Sequence, residues 1–430
     1  MKKIFLYMTI CFFLFSCDFL WRGDGDEGEP AYNAIIAWRS GLTSNSLAEI
    51  MVDAGYVYFY ERPPGHTSYN IYSLTKLDAA TGALVWRSPL FTNIIDSPPI
   101  AAGDYVYVFL VQSSVLAFAK ETGELAAVAR VGQGNRELSL SVTEYGGYLY
   151  FGLWGRDVRG QFARLNVADI EYAGGGEMQT VNPEILWEPE TRRSTHAKPV
   201  IHNNVVYAST YTSLNVASRV ELAGFDIDTK EMVFYRAFGG IEDVEAGNIP
   251  RPETGGAIGS APLLIQGGVL YYVNVSTTAW DLAGGEMLYR RVFTNDTPNA
   301  QRYSTSMGLF PVYSDGKIYF VSGQNNDGSG FRNIHCIDAA TGFLVWNDIA
   351  PRSASLGTNP VVTNGRLYVS QSAGLRVYEA ETGRLIGADS SFTGSNLDRV
   401  LLYGDYMICL RLDRSARNER WEPVAVYVGK

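Results

Sequence analysis

Few residues in this 430-residue chain are placed to do covalent chemistry. The four histidines are His66, His196, His202 and His335, and none belongs to an H-E-x-x-H pair that could put two imidazoles on one metal. The chain has no G-x-S-x-G nucleophile elbow and no G-x-x-x-x-G-K phosphate loop. Asp24–Glu27 and Asn325–Gly328 have the composition of calcium loops. Counted from Gly323, however, the twelfth position is Ile334, where a bidentate Glu is needed. No metal site is expected. The densest basic cluster is Arg192-Arg193 with His196 and Lys198. On a chain of net charge −10 it could hold an acidic segment of a protein partner. Trp154, Tyr211 and Tyr303 fall in loop-like stretches and could contact a partner or a sugar. With charged residues at only 19% and acid in excess, a nucleic-acid surface is excluded.

The N-terminus carries a different chemistry. Lys2 and Lys3 precede an apolar run, Ile4–Phe15, which ends at Ser16-Cys17. The run is too short to span a bilayer and reads as a signal peptide over residues 1–16. Leu14-Phe15-Ser16-Cys17 resembles a bacterial lipobox, with Phe15 bulkier than the usual residue at its slot. That resemblance implies acylation of the Cys17 sulfur and a lipid-anchored mature protein. Residues 17–32, acidic and glycine-bearing, read as a flexible tether. Cys336 and Cys409 lie in strand-like runs and read as buried free thiols.

The rest of the chain, residues 33–430, is repetitive. Leu77–Trp86 reads L-D-A-A-T-G-A-L-V-W, and Ile337–Trp346 reads I-D-A-A-T-G-F-L-V-W. Weaker copies are Phe118–Ala127, Phe225–Phe234, Trp280–Tyr289 and Tyr378–Gly387. Each copy predicts strand, turn, strand. Asp78, Asp226, Asp281 and Asp338 (Glu379 in the last copy) can accept turn N–H bonds, and Thr81 and Thr341 sit in the turn. Gly82, Gly123, Gly285, Gly342 and Gly383 supply positive φ, with Lys230 and Pro183 at the same slot in two degenerate copies. The closing aromatics, Trp86, Trp187, Phe234, Tyr289 and Trp346, are predicted to dock on the neighbouring repeat. In two copies the slot holds Ala127 and Gly387, which predicts looser interfaces or filling by other side chains.

A hairpin precedes each copy, as in Pro360–Tyr368 with its Asn364-Gly365 turn. Four antiparallel strands per repeat, called A to D from the inside outward, make a propeller blade. Seven blades follow in order over about 50–90, 97–131, 138–189, 197–238, 259–293, 307–349 and 358–388. Residues 397–428 offer only three more strands. Ile35–Ser40 matches Ala83–Ser88 closely, so Ala34–Arg39, with Trp38 as its docking residue, is predicted to complete an eighth blade and close the ring. The expected fold is all-β, an eight-bladed β-propeller closed by an N-terminal strand. The A–B and C–D turns would share one face. The long B–C and D-to-A segments would share the other and mark it for binding.

The T-G-x-x-x-W turn, the x-P-[VIL] entry to strand A and the eight-fold count resemble the PQQ-type, quinoprotein-like β-propeller repeats. With the lipobox, the whole layout over residues 33–428 is similar to the lipoprotein scaffolds of the outer-membrane β-barrel assembly machinery. That resemblance implies a monomeric, non-catalytic envelope protein, at the periplasmic face of the outer membrane or at the inner membrane, binding protein through its loops. Quinone-dependent dehydrogenases share the blade motifs and are the alternative. They carry adjacent cysteines over the quinone, and this chain has none, so bound PQQ is not expected. A carbohydrate-binding propeller is the third reading.

Overall fold

Runs rich in Tyr, Val and Phe, separated by two-residue turns containing glycine, pair into hairpins because β-branched and aromatic side chains suit a pleated, half-buried surface. A computed structural model describes residues 31–32, 34–43, 50–63, 71–92, 97–110, 113–132, 137–138, 142–155, 158–172, 178–188, 198–213, 218–239, 263–273, 276–292, 311–322, 333–349, 360–371, 374–392, 400–413 and 420–429. Among them there is no α-helix, and the strands form eight sheets.

The sheets are the blades, in strand order A to D. Blade 1 is Met51–Asp53, Tyr56–Glu61, Ile71–Asp78 and Leu84–Arg87, and blade 2 is Ile100–Ala102, Tyr105–Leu110, Ser114–Ala119 and Leu125–Val131. Blade 3 is Thr143–Tyr145, Tyr148–Gly155, Val158–Asn166 and Glu184–Trp187, and blade 4 is Val200–His202, Val205–Ser213, Ser218–Asp226 and Met232–Gly239. Blade 5 is Leu263–Gln266, Val269–Val273, Ser276–Asp281 and Met287–Val292, and blade 6 is Val312–Ser314, Lys317–Ser322, Asn333–Asp338 and Leu344–Ile349. Blade 7 is Val361–Thr363, Arg366–Gln371, Gly374–Glu379 and Leu385–Asp389.

Blade 8 takes three strands from the C-terminal end, Leu401–Tyr403, Tyr406–Asp413 and Arg420–Tyr427. Its outer strand is Ile35–Arg39, which pairs antiparallel with the last of them, Ile36 opposite Val426 and Arg39 opposite Val424. The ring therefore closes as the sequence predicts. Eight apolar clusters fill the eight seams between blades, one per seam. The last unites Tyr368 and Val377 of blade 7 with Met407 and Val424 of blade 8. Each blade buries both faces of its sheet, so stability resides mainly in nearest-neighbour contacts. Cys336 and Cys409 are buried free thiols.

Blade 3 departs from the repeat. Pro183 does not hold a left-handed turn, because its ring fixes φ near −65°. The C–D connection instead runs outward, and Met178–Val181 adds a parallel fifth strand to the outer edge of blade 2, Val128 opposite Met178 and Val131 opposite Val181. This excursion compensates for Ala127. Tyr172, carried on the same connection, stacks on Tyr105 at 4.1 Å between ring centroids and shares a 2.6 Å hydrogen bond with the Tyr107 hydroxyl. The aromatic missing from blade 2 is thus supplied by blade 3.

One buried histidine should make the fold acid-sensitive. His335, on strand C of blade 6, stacks on Phe320 at 4.9 Å, and burial pushes its pKa down to about 4. Below the ordinary imidazole value near 6.5 the unfolded chain takes up a proton that the native chain refuses. Stability should therefore fall by about 3 kcal/mol between pH 6.5 and 4, and level off below that for this group. In His335→Gln, chemical unfolding at pH 7 and 4.5 should show that slope removed. An unchanged slope would assign the acid sensitivity elsewhere.

Candidate functional site

The repeated turns are built as the residue types suggest. In blade 1 the Asp78 carboxylate accepts the Thr81 N–H at 2.8 Å and the Thr81 hydroxyl at 2.7 Å. Asp338 accepts the same pair from Thr341 at 2.8 and 2.6 Å. Asp281 accepts from the Gly284 N–H at 2.6 Å. The threonine hydroxyl bonds, which favour the charged form, hold the Asp78 and Asp338 carboxyls below the usual range. The residue at the turn slot is left-handed throughout, with φ of 70° at Gly82, 75° at Gly123, 68° at Gly285, 70° at Gly342 and 73° at Gly383. Lys230 adopts φ 66° there without being glycine.

The residue after strand C of each blade donates its N–H to a carbonyl of the same blade's A–B turn. Ala79 bonds Gly55, Ala339 bonds Gly316 and Val428 bonds Asp405, at 2.8–2.9 Å. Both sets of tight turns therefore lie on one face. The carbonyl of that same residue points across the seam and is capped by the neighbour. Trp38 Nε1 donates to Ala79 O at 3.0 Å, Trp86 Nε1 to Lys120 O at 2.8 Å, and Trp346 Nε1 to Ala380 O at 3.0 Å. The Tyr289 hydroxyl donates to Ala339 O at 3.1 Å. Each indole or phenol ring also lies flat against the next blade's turn glycine. A Cβ added to Gly123 or Gly383 would come within 2.5 Å of Trp86 or Trp346. The glycine is thus required twice, for its φ and for the ring that covers it. Lys76, only 3% exposed, gives Lys120 O a second donor at 2.8 Å while its ammonium sits 3.9 Å over the Tyr56 ring.

Where the motif decays, other side chains cap a carbonyl at or beside the same turn. At the seam of blades 2 and 3 the Tyr172 hydroxyl donates to Val167 O at 2.8 Å. At blades 3 and 4 the cap on Ile227 O is Arg164 Nη1, at 2.7 Å. Trp187 does not reach that turn. The bulge in its sheet falls between Phe162 and Ala163, two residues farther from the turn than the Lys76/Leu77 bulge of blade 1. Trp187 instead packs on Phe225 and Tyr235 of blade 4, and Glu184 stands nearer the turn, bridging Arg164 and Lys230. Phe234 packs into the blade 4–5 core beside Tyr207, but the group against the Gly285 turn is Arg236, which donates to Gly285 O. At blades 7 and 8 the cap on Val428 O is Asn364 Nδ2, at 2.9 Å.

The predicted binding residues fare differently. Cys17, Arg192, Arg193 and His196 lie outside the described residues, as do most of the long B–C and D-to-A segments. Trp154 lies on strand B of blade 3, opposite Glu137. Lys198, the remaining member of the basic cluster, leads into strand A of blade 4 and lines a cavity of about 380 Å³. The cavity sits where the innermost strands of blades 3, 4 and 5 meet, with Glu144, Tyr145, Ile201 and Leu264 also in its wall. Thr143 ties two of those blades together by donating to Pro199 O at 2.6 Å. Its lining is mainly apolar, with one acid, Glu144, and one base, Lys198. Sequence reasoning missed this cavity because three short strands far apart in the chain form it. The x-P entry to strand A was its only local signal. Among the described residues no three His, Cys, Asp or Glu side chains converge as a metal site, and no helix is long and apolar enough to cross a membrane.

No curated protein matches the sequence. Solved structures match the fold. BamB from Moraxella catarrhalis aligns with a TM-score of 0.55 at 12% identity, covering 93% of this chain and 97% of that one. The computationally designed Ika8 protein aligns at 0.55 and 11%, covering 93% and 100%. Quinohemoprotein alcohol dehydrogenase from Comamonas testosteroni aligns at 0.61 and 12%, covering 92% of this chain and 76% of the enzyme. At these identities the likeness is one of fold alone. Sequence carries the assignment further: the family model for outer membrane protein assembly factor BamB matches residues 35–302 and 276–388, nearly the whole ring, and the chain belongs to that family.

Proposed function

We propose that this protein is a non-catalytic scaffold of the cell envelope that binds protein partners in outer-membrane protein assembly. Residues 1–16 would be its signal peptide, Cys17 its lipid attachment, residues 17–32 its tether, and the ring a monomeric docking body. The observation that carries this reading is the family match across the ring. Two features support it. Seven of the eight seams carry a side-chain cap on a turn backbone carbonyl of the adjoining blade, the blade 2–3 seam carries the Tyr107–Tyr172 hydroxyl bond, and every seam has an apolar cluster, so the ring can hold loops in a fixed shape. The chain also lacks the adjacent cysteines of the quinone-dependent enzymes, which argues against bound PQQ.

Photo-cross-linkers placed at Trp154 and Arg192 in intact cells test the reading. A β-barrel-assembly subunit should be captured, and Arg192→Glu with Arg193→Glu should weaken that capture severalfold. Quinone-dependent dye reduction by the purified protein, with no such capture, would favour the dehydrogenase instead.

A further inference from the structure

Blade 7 shares the defect of blade 2, since Gly387 stands where other blades carry an aromatic. It also shares the remedy, although nothing in the repeat announces it. Ala31 makes a parallel bridge with Ala388 on the outer edge of blade 7, and Tyr32 N–H donates to Ala388 O at 2.9 Å. Ala34 N–H donates to the Asp389 carboxylate at 2.9 Å. Tyr32 joins the apolar cluster of Val361, Tyr368, Val428 and Ile386 at the blade 7–8 seam. Burial and the neighbouring Tyr368 push its phenol up to about 12, against the opposing pull of Arg366. The arrangement repeats that of Tyr172, which lies on Tyr105 and Tyr107 of blade 2, the positions corresponding to Arg366 and Tyr368. In both places a parallel segment on the outer edge delivers one tyrosine to the notch of a blade that lacks its own aromatic.

We infer that Tyr32 is a latch that fastens the end of the tether into the Gly387 notch, so that the ring is held from the blade 7–8 rim instead of swivelling on the closing strand. The latch is separate from the closing strand, because its partners are in blade 7 and those of Ile35–Arg39 are in blade 8. The inference does not depend on whether Cys17 carries lipid or on which partner the loops bind.

Amide hydrogen exchange on the full-length protein in detergent tests it. In the wild type, residues 31–34 should exchange at least roughly tenfold more slowly than residues 18–30. Tyr32→Ala should bring 31–34 to the tether rate while 35–39 stay protected. Gly387→Trp, which fills the notch from within blade 7, should release the same segment and keeps the test open if Tyr32→Ala folds poorly. Tyr172→Ala should leave residues 31–34 unaffected. Three results would overturn the latch: tether-like exchange of 31–34 in the wild type, no change in either notch variant, or joint loss of protection across 31–39.

Discussion

Deleting residues 33–40 should lower the melting temperature by roughly 6–12 °C and broaden the transition. The deletion removes the outer strand of blade 8, including Trp38, which is 8% exposed and bonded across the seam to Ala79 O. A buried Trp reduced to Ala typically costs about 3–5 kcal/mol; the half-buried Ile36 and the lost pairing with Val424–Tyr427 add about 2–5 kcal/mol, so about 5–10 kcal/mol is at stake here. Unfolding entropy of about 2 cal/mol/K per residue over a ring of this length turns that loss into the stated shift. It also exposes the strand edge of Arg420–Tyr427, so aggregation on heating should increase. Calorimetry on the deleted protein is the check. A melting curve that superimposes on the wild type would mean that the C-terminal three strands close the ring unaided.

The second large effect is a coupled one. Gly123→Ala should destabilise by about 3 kcal/mol, combining a non-glycine residue at positive φ with displacement of the Trp86 ring, which the new Cβ would meet at 2.5 Å. Trp86→Ala should destabilise by about 4 kcal/mol through lost burial and loss of the cap on Lys120 O. The double variant should fall short of the sum by about 1–2 kcal/mol, because with the indole gone only the backbone strain of the substituted turn remains. Denaturant unfolding of the four proteins measures this directly. Strict additivity would show that indole and glycine act independently, and would remove the physical basis of the seam described above.

The two predictions concern residues with different visibility in the sequence. Gly123, Asp78, Thr81 and Trp86 are legible because each repeats at a fixed offset. The reasons for them are also local: a turn needs its carboxylate, its hydroxyl and its positive φ wherever it occurs. The closing strand was legible for a related reason, since Ile35–Ser40 copies Ala83–Ser88 and lacked a blade of its own. The substitutes were not legible. Tyr172, Arg164, Arg236, Asn364 and Tyr32 belong to no motif, and each works on a carbonyl or notch that the chain brings near only after the ring has formed.

The cavity beside Lys198 has the same origin, being assembled from strands of three blades. What the sequence determined alone was therefore the repeating unit and the number of units. Period-two strands and glycine turns follow from backbone sterics within a few residues. What only the tertiary structure decided was how each weak unit is completed. A buried carbonyl must find a donor and an empty slot must be filled, and the nearest group in space need not be near in the chain.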